Sequence, residues 1–213
     1  ESGDAFIKLS PVDGKPLCQA TRSRQGDVGR AVQAAKRAQK AWAECTPVNR
    51  GDRLLEIARL MKARKEEIAQ IVHLETGMSL KAALGETEGA IAQGVFMAGE
   101  GRRLYGRTTT SAVPNKYALT VRQPMGVAGL IIAANTPIAN VAWKAFPAMF
   151  CGNAAVMKPS EDTPATAWIS PHPLPVTPGL AQVPTRTCQT AVARLGYRLR
   201  LGRGSPRWPM ARL

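Results

Sequence analysis

The stretch VRQPMGVAGLIIAANTPIANVAWKAFPAMFCGNAAVMKPSEDTP, residues 121–164, decides the fold of this chain. It contains two apolar runs, Val127–Ala134 and Ala154–Met157, and each run ends abruptly in polar residues. The segment between them is apolar, helix-like and about as long as a crossover connection. A strand, a crossover and a second strand of this kind form a parallel βαβ unit. The sequence therefore predicts an α/β fold.

Polar residues follow both predicted strands, as Asn135-Thr136-Pro137 after the first and Lys158-Pro159-Ser160-Glu161 after the second. In a parallel unit the carboxyl ends of the strands lie at one edge of the sheet, and open α/β sheets bind their ligands at that edge. We therefore expect the two polar clusters to face the same crevice.

Each cluster has a functional and a structural interpretation. The amide of Asn135 and the backbone N–H groups beside it can donate to an oxyanion, but an Asn also satisfies a turn before Pro137, which spacing alone favours. Lys158, Ser160 and Glu161 can bind a ribose diol or a phosphate. They equally fit a strand-to-helix loop that is capped by a short polar side chain.

Composition places the chain among globular proteins. It has 213 residues, 45% hydrophobic and 21% charged, with a formal net charge of +14, which is enough for one or two domains. No signal peptide is visible at the start, and the longest apolar run is shorter than the ~20 residues that span a bilayer. We expect a cytoplasmic protein with no membrane association.

The cysteines and histidines predict no metal site. Four cysteines lie far apart without a CxxC pair, and the chain has two histidines, so zinc binding is not expected. Scattered thiols are typical of a reducing compartment. Cys151 follows an apolar segment with no histidine near it in sequence, which predicts a buried structural thiol rather than a nucleophile. His73 is predicted to lie in the core or at its boundary.

Helical periodicity precedes the βαβ stretch. Residues 28–42, with a cap at Gly26-Asp27, residues 50–74 and residues 80–101 are predicted as helices, and Pro47 is predicted to end the first. Residues 6–9 and 117–122 are predicted as strands, with a turn at residues 11–15.

From Ile169 onwards the sequence becomes rich in proline and arginine, and it contains no lysine, aspartate or glutamate. All fifteen acidic residues lie at or before Asp162, whereas seven arginines follow it. We predict an irregular tail over residues 169–213. It is either a disordered basic segment or coding sequence read in a shifted frame, and we favour the second interpretation.

Many ordered motifs resemble the NAD(P)-dependent aldehyde dehydrogenase superfamily over about residues 1–168. The motifs of the opening stretch are Pro124-Met125-Gly126-Val127, Asn135-Thr136-Pro137, Ala142-Trp143-Lys144, Pro147-Ala148-Met149, Gly152-Asn153, Lys158-Pro159-Ser160-Glu161 and Thr163-Pro164. The motifs upstream include Pro11-Val12-Asp13-Gly14, Trp42, Arg53 and Glu75-Thr76-Gly77. The resemblance implies amino-terminal helices and the first βαβ of an incomplete Rossmann-like cofactor-binding domain.

The resemblance also implies roles for individual residues. Asn135 corresponds to the oxyanion-hole asparagine, and Lys144 to a helix lysine near the site. Lys158 and Glu161 would contact the adenosine ribose of NAD or NADP, with Ser160 beside them. The residues that would line the cofactor pocket are Ile131, Ile132 and Ala133. The strand at residues 117–122 looks like part of an arm that pairs subunits, since full-length members are expected to be homo-oligomers.

Three features of the family have no counterpart in this sequence. The nucleophilic cysteine, the general-base glutamate and the glycine-rich cofactor turn lie downstream in the family, and nothing in residues 169–213 resembles them, Cys188 included. Ala133-Ala134 and Met78 also depart from the common pattern. We therefore expect a catalytically incomplete part of an aldehyde-oxidising enzyme. The alternative is a non-enzymatic basic protein whose arginine-rich tail binds nucleic acid.

Overall fold

The computed structural model describes residues 4–169 and 180–182. In chain order the elements are β1 (Ala5–Leu9), β2 (Pro16–Thr21), α1 (Gln25–Glu44), α2 (Pro47–Ala63), α3 (Lys65–Thr76), α4 (Leu80–Gly99) with a 3-10 turn (Glu100–Arg102), β3 (Thr108–Thr109), β4 (Ala118–Leu119), β5 (Val127–Ile131), α5 (Pro137–Phe150), β6 (Ala154–Lys158), α6 (Pro164–Ile169) and β7 (Leu180–Gln182).

The predicted parallel unit is present. Strands β5 and β6 pair in parallel with Val127 opposite Ala154 and Ile131 opposite Lys158, and α5 forms the crossover between them. The carbonyl of Gly126 accepts the N–H of Ala154 at 2.9 Å, which starts the ladder. The α/β prediction is confirmed.

The first strand is shorter than predicted. It ends at Ile131 rather than Ala134, after which only the N–H of Ile132 continues the ladder by donating to the carbonyl of Lys158 at 3.0 Å. The partner strand β6 ends at Lys158, the residue opposite Ile131. Asn135 therefore does not directly follow the strand.

Three residues of the carboxyl-terminal segment, Leu180–Gln182, form strand β7. Leu180–Gln182 pairs in parallel with β6, with Leu180 opposite Ala155, so these residues are regular structure within a segment that was predicted to be irregular. The other tail predictions, for disorder, a shifted frame or nucleic-acid binding, fall on residues 170–179 and 183–213, outside the described residues.

The predicted helix over residues 50–74 is two helices, α2 and α3, which meet at Arg64. Arg64 has φ −116° and ψ 22°, and its guanidinium binds both carboxylate oxygens of Glu67 at 2.7 Å. Met61 before the break and Ile68 after it are buried in one core cluster. That continuity of burial explains why the apolar pattern indicated a single helix.

The starts of two helices also differ from the prediction. The N-cap of α1 is Arg24 rather than Gly26-Asp27, and the carboxylate of Asp27 accepts the Arg24 backbone N–H at 2.9 Å. An acidic third residue that reaches back in this way satisfies a free donor at the helix start. Pro47, which was predicted to end α1, is the first residue of α2, where its missing N–H costs nothing.

Two short antiparallel hairpins complete the described part. Strands β1 and β2 pair with Ala5 opposite Thr21, on either side of the predicted turn. Strands β3 and β4 pair with Thr108 opposite Leu119. The strand that was predicted over residues 117–122 spans two residues, Ala118–Leu119.

Side chains from α1 and α2 hold the carboxyl end of the crossover helix. The indole Nε1 of Trp42 donates to the carbonyl of Met149 at 2.8 Å, and Nε of Arg50 donates to the carbonyl of Phe150 at 2.8 Å. The last carbonyls of a helix have no partner within the helix, and a cation beside them opposes the negative end of the helix dipole. These contacts attach α5 to the helical layer.

Arg50 is a buried cation whose side chain donates to three backbone carbonyls. Its side chain also donates to the carbonyls of Ala43 and Cys45 at the junction of α1 and α2, and the residue is 4% exposed. Burial lowers the pKa of the guanidinium, but arginine stays protonated in proteins. One side chain therefore joins the α1–α2 junction to the end of α5.

A second buried charge, Glu75 of α3, holds the last described helix. Glu75 is 3% exposed, and its two oxygens accept the backbone N–H groups of Ala165 and Thr166 at 2.7 Å each. Burial raises the pKa of Glu75 to about 7, although these hydrogen bonds act in the opposite direction. The carboxylate satisfies free donors at the start of α6 from a position 90 residues earlier in the chain.

Replacing Arg50 with Ala should lower the free energy of unfolding by about 2–4 kcal/mol, because buried carbonyls lose a charged donor. Arg50→Lys should recover only part of the loss, since an ammonium cannot match the geometry of the guanidinium fork. Urea denaturation followed by circular dichroism measures both variants. Arg53→Ala, at an exposed position of the same helix, is the control, and an equally small loss for Arg50→Ala and Arg53→Ala would refute the role.

Glu75 should make stability depend on pH. Its folded-state pKa is raised from 4.5 to about 7, so its contribution is fully present below pH ~4.5 and falls as the pH rises through ~7. The difference in unfolding free energy between wild type and Glu75→Gln should therefore shrink by on the order of 3 kcal/mol across that window. Glu44→Gln, at an exposed position, should show no such trend. A constant difference for Glu75→Gln would contradict the assignment.

Candidate functional site

A cavity of about 1300 Å³ opens beside the carboxyl ends of β5 and β6. Four predicted site residues line it: Ile131 from the end of β5, and Lys158, Ser160 and Glu161 from the end of β6 and the loop that follows. These residues meet because the two strands are parallel and in register, with Ile131 opposite Lys158. The parallel unit therefore gathers polar groups at the sheet edge where open α/β sheets bind ligands.

The opposite wall of the cavity comes from α1 and the first hairpin. Val32 and Lys36 of α1 line it, together with Phe6 and Arg22. The Arg22 guanidinium lies 5.2 Å from the centre of the Phe6 ring, within the range of a cation–π contact. The sequence-based prediction missed Arg22 and Lys36, because nothing in their local sequence indicates that α1 packs on β6.

The charges in the cavity are mainly positive. Lys158, Arg22 and Lys36 supply three cations, and Glu161 supplies a carboxylate. Lys158 Nζ donates to Glu161 Oε2 at 3.2 Å, but their side chains are 64% and 71% exposed. An ion pair this exposed contributes little to stability, so both groups stay accessible to a ligand.

Glu161 is an ionised acceptor. Its own backbone N–H, and then Lys158, lower the pKa of its carboxyl group, so it accepts hydrogen bonds at neutral pH. Beside it, the Ser160 hydroxyl accepts the backbone N–H of Asp162 at 3.3 Å, while its own proton stays available for donation. The loop therefore offers a carboxylate acceptor, a hydroxyl donor and an ammonium donor within four residues.

The structure separates the three residues that were predicted to line a cofactor pocket. Ile131 is 73% exposed and lines the cavity, whereas Ile132 is 2% exposed and belongs to the core. Ala133 is exposed but lies outside the cavity lining. The extended backbone alternates its side chains between two sides, so neighbouring residues cannot all face one pocket.

Asn135 does not line this cavity either. It lies on the exposed turn between β5 and α5, and its Oδ1 accepts from Nδ2 of Asn140 at 3.3 Å. The cavity therefore contains the polar cluster that follows β6 but not Asn135. Lys144 connects the two regions, since its Nζ donates to the carbonyl of Ile131 at the end of β5.

Glu86 of α4 positions the start of α5. Its Oε1 accepts the backbone N–H groups of Ile138 and Ala139 at 2.8 and 3.0 Å, and burial raises the pKa of its carboxyl group. Thr136, the N-cap residue, makes no capping bond with its side chain. The sequence-based prediction missed Glu86 because the acceptor comes from 52 residues away.

None of the thiols in residues 4–169 lines the cavity. Cys18 is buried, Cys45 is half-buried and Cys151 is exposed, so the prediction of a buried Cys151 is wrong. Cys151 follows the last residue of α5, where the apolar pattern has ended. His73 is half-buried, and its Nδ1 lies 2.5 Å from the carbonyl of Met78, as expected for a boundary histidine.

Residues 4–169 and 180–182 contain no cluster of three or more histidine, cysteine, aspartate or glutamate side chains that could hold a metal ion. Within the same ranges, every helix is too short or too polar to span a bilayer.

The parallel unit defines an α/β protein, and polar residues at the ends of its strands are typical of α/β proteins that bind a ligand at that edge. The sequence model of the aldehyde dehydrogenase family matches residues 1–172. The chain therefore belongs to the aldehyde dehydrogenase family, as the motifs predicted.

Curated relatives support the assignment over the same part. Alpha-ketoglutaric semialdehyde dehydrogenase of Bacillus subtilis is 38% identical over 167 residues, covering 78% of this chain and 34% of the relative. Cytosolic 10-formyltetrahydrofolate dehydrogenase of Xenopus laevis is 35% identical over 173 residues, covering 78% of this chain and 19% of the relative. The chain thus spans 34% and 19% of the lengths of these two relatives.

Solved structures show the same architecture. An NADP-dependent enzyme of E. coli superposes with a TM-score of 0.80 at 29% identity, covering 85% of this chain and 39% of that one. Betaine aldehyde dehydrogenase from Staphylococcus aureus, in complex with NAD+, superposes with a TM-score of 0.78 at 26% identity, covering 84% and 38%. The described fold is therefore part of the aldehyde dehydrogenase fold.

Proposed function

We propose that this chain supplies part of the NAD(P)+ site and the oxyanion-stabilising amide of an enzyme that oxidises an aldehyde to a carboxylic acid. The observation that supports this best is the cavity at the carboxyl ends of β5 and β6, which gathers Ile131, Lys158, Ser160 and Glu161. Family membership supplies the reaction class.

The donor set of the cavity fits a dinucleotide. Glu161 is ionised and accepts hydroxyl groups, Lys158 and Ser160 donate, and Arg22 and Lys36 add positive charge for phosphates. A volume of about 1300 Å³ is large enough for such a ligand. When bound, NAD(P)+ accepts the hydride that the aldehyde carbon loses. Lys158, Ser160 and Glu161 would hold its adenosine ribose.

We further propose a preference for NAD+ over NADP+. A carboxylate beside the adenosine ribose accepts a hydrogen bond from a 2′-hydroxyl, but it repels a 2′-phosphate. Glu161 is ionised and exposed to the cavity, and Lys158, 3.2 Å away, partly offsets its charge. The balance between these two groups would therefore set the preference.

Asn135 is proposed as the oxyanion donor. Its exposed amide sits on the turn after β5, and an amide N–H stabilises negative charge that develops on a carbonyl oxygen. Lys144 fixes the end of β5 from α5 and is proposed to hold this turn in register with the cavity. The two parts of the site then lie on consecutive segments of one βαβ unit.

For the substrate we propose a chemical class, and for the enzyme a location and a contact surface between subunits. The two curated relatives are named for different substrates, so the proposed substrate is an aldehyde. The Xenopus relative is named as cytosolic, which supports a cytoplasmic location. Tyr117 and Leu119, 90% and 62% exposed at the β3–β4 hairpin, are proposed as a contact between subunits.

Lys158→Ala and Glu161→Gln should each weaken NAD+ binding roughly tenfold, since each removes a charge-assisted hydrogen bond. Glu161→Gln should also reduce the difference in affinity between NAD+ and NADP+, because it removes the carboxylate that repels the 2′-phosphate. Isothermal titration calorimetry with both nucleotides measures these changes. Lys62→Ala and Glu44→Gln change exposed residues outside the cavity and should leave affinity unchanged. Equal affinity across all five proteins would sink the proposed nucleotide site.

The 213-residue chain should show no aldehyde oxidation by itself. The family reaction needs a thiolate that attacks the aldehyde carbon, and the thiols of Cys18, Cys45 and Cys151 do not line the cavity. The test follows reduced nicotinamide by its absorbance in the presence of an aldehyde and NAD+. Sustained production by the purified chain, with a roughly tenfold higher KM for NAD+ in a Lys158→Ala variant, would show that the chain is catalytically sufficient.

A further inference from the structure

The side-chain amide of Asn140, in the first turns of α5, meets three oxygen atoms of the preceding turn. Its Nδ2 lies 3.3 Å from Oδ1 of Asn135, 3.0 Å from the carbonyl oxygen of Thr136 and 3.0 Å from Oγ1 of Thr136. Asn140 is half-buried, so these contacts compete only partly with water. The NH₂ group of Asn140 is therefore the shared hydrogen-bond donor to both residues of the turn, Asn135 and Thr136.

One of these three oxygen atoms, the carbonyl oxygen of Thr136, determines how the side-chain amides of Asn140 and Asn135 are oriented. The carbonyl oxygen of Thr136 can only accept a hydrogen bond, so the Asn140 atom beside it must be the nitrogen and not the oxygen. With Nδ2 of Asn140 directed at the turn, Asn135 must present its own Oδ1 to that donor. Its Nδ2 then faces away from Asn140 as the free donor.

The start of α5 is built so that this contact can form. In most helices the N-cap side chain accepts the N–H of the second or third residue, but the Thr136 side chain makes no such bond. Glu86 accepts those N–H groups instead, from Ile138 and Ala139. The Thr136 hydroxyl is thereby left to accept from Asn140.

We infer that Asn140 is the positioning residue that fixes which end of the Asn135 amide faces an incoming ligand. The inference rests on the proposed role of Asn135 as the oxyanion donor. With Asn140 in place, Asn135 offers its NH₂ group, which suits an anionic oxygen. Without it, the amide can turn and offer its own oxygen, which repels the same anion.

The orientation is testable by NMR on the ¹⁵N-labelled chain, through the side-chain amide resonances of Asn135. In the wild type the Asn135 NH₂ group should be ordered, as read by its heteronuclear NOE, and should exchange freely with solvent. Asn140→Ala should leave that group disordered, with an NOE close to that of the exposed Asn49.

Asn140→Asp should reverse the orientation. The carboxylate can only accept, so the Asn135 NH₂ group should turn towards it and exchange with solvent roughly tenfold more slowly. Thr136→Val removes the hydroxyl but keeps the backbone carbonyl that sets the orientation, so it should leave the order and the solvent exchange of the Asn135 amide as in the wild type. Asn49→Ala and Asn49→Asp, at an exposed position of α2, are matched controls.

Unchanged order and exchange of the Asn135 amide in both Asn140 variants, with a native backbone amide spectrum, would overturn the inference. If one Asn140 variant does not fold, the other still decides, because unchanged order and exchange of the Asn135 amide in that variant would overturn the inference. Failure of nucleotide binding in the calorimetric test would sink the proposed function and leave the Asn135 orientation standing.

Discussion

The crossover helix α5 is held at both ends by charged side chains from the preceding helices, and the rest of the structure depends on that arrangement. Glu86 accepts N–H groups at the amino end, and Arg50 donates to a carbonyl at the carboxyl end. Each charge is opposite in sign to the end of the helix dipole that it meets. The βαβ unit is therefore oriented by helices that precede it in the chain, and not by its own strand pairing alone.

The same device recurs at the next helix. Glu75 of α3 accepts the first N–H groups of α6, so two buried or half-buried carboxylates from neighbouring helices hold α5 and α6. The loop with Lys158 and Glu161 lies between these two helices. Its residues are exposed and paired only weakly with each other, so the rigid framework around the loop supplies the order that the loop itself lacks. Burial raises the pKa of both carboxyl groups, which is the electrostatic cost of that order.

Local patterns in the sequence predict the parallel unit but not these long-range contacts. The apolar runs at residues 127–134 and 154–157 identify the strands, and the motifs identify the family, because both signals lie within short stretches. The partners of Glu75 and Glu86 lie 90 and 52 residues away, and no spacing rule connects them. The strand end at Ile131 was missed because the apolar run continues to Ala134, beyond the last residue that pairs with β6.

The candidate site has two parts, the Asn135 amide turn and the cavity. The residues that shape the amide turn lie close together in the chain, whereas those that shape the cavity lie far apart. The orientation of the Asn135 amide depends on residues one and five positions ahead, which contact it within the first turns of α5. The cavity needs β6, α1 and the first hairpin together, so Lys36 and Arg22 join Glu161 only after the whole layer has packed. A substitution on the face of α1 that lines the cavity can therefore disturb the cavity while the amide turn, which Glu86 of α4 supports, keeps its geometry. A substitution of Asn140 should likewise leave the cavity in place, because the contacts of the Asn140 side chain all lie within its own turn. Binding of a nucleotide and stabilisation of an oxyanion are thus separable properties of this chain, although one βαβ unit carries both.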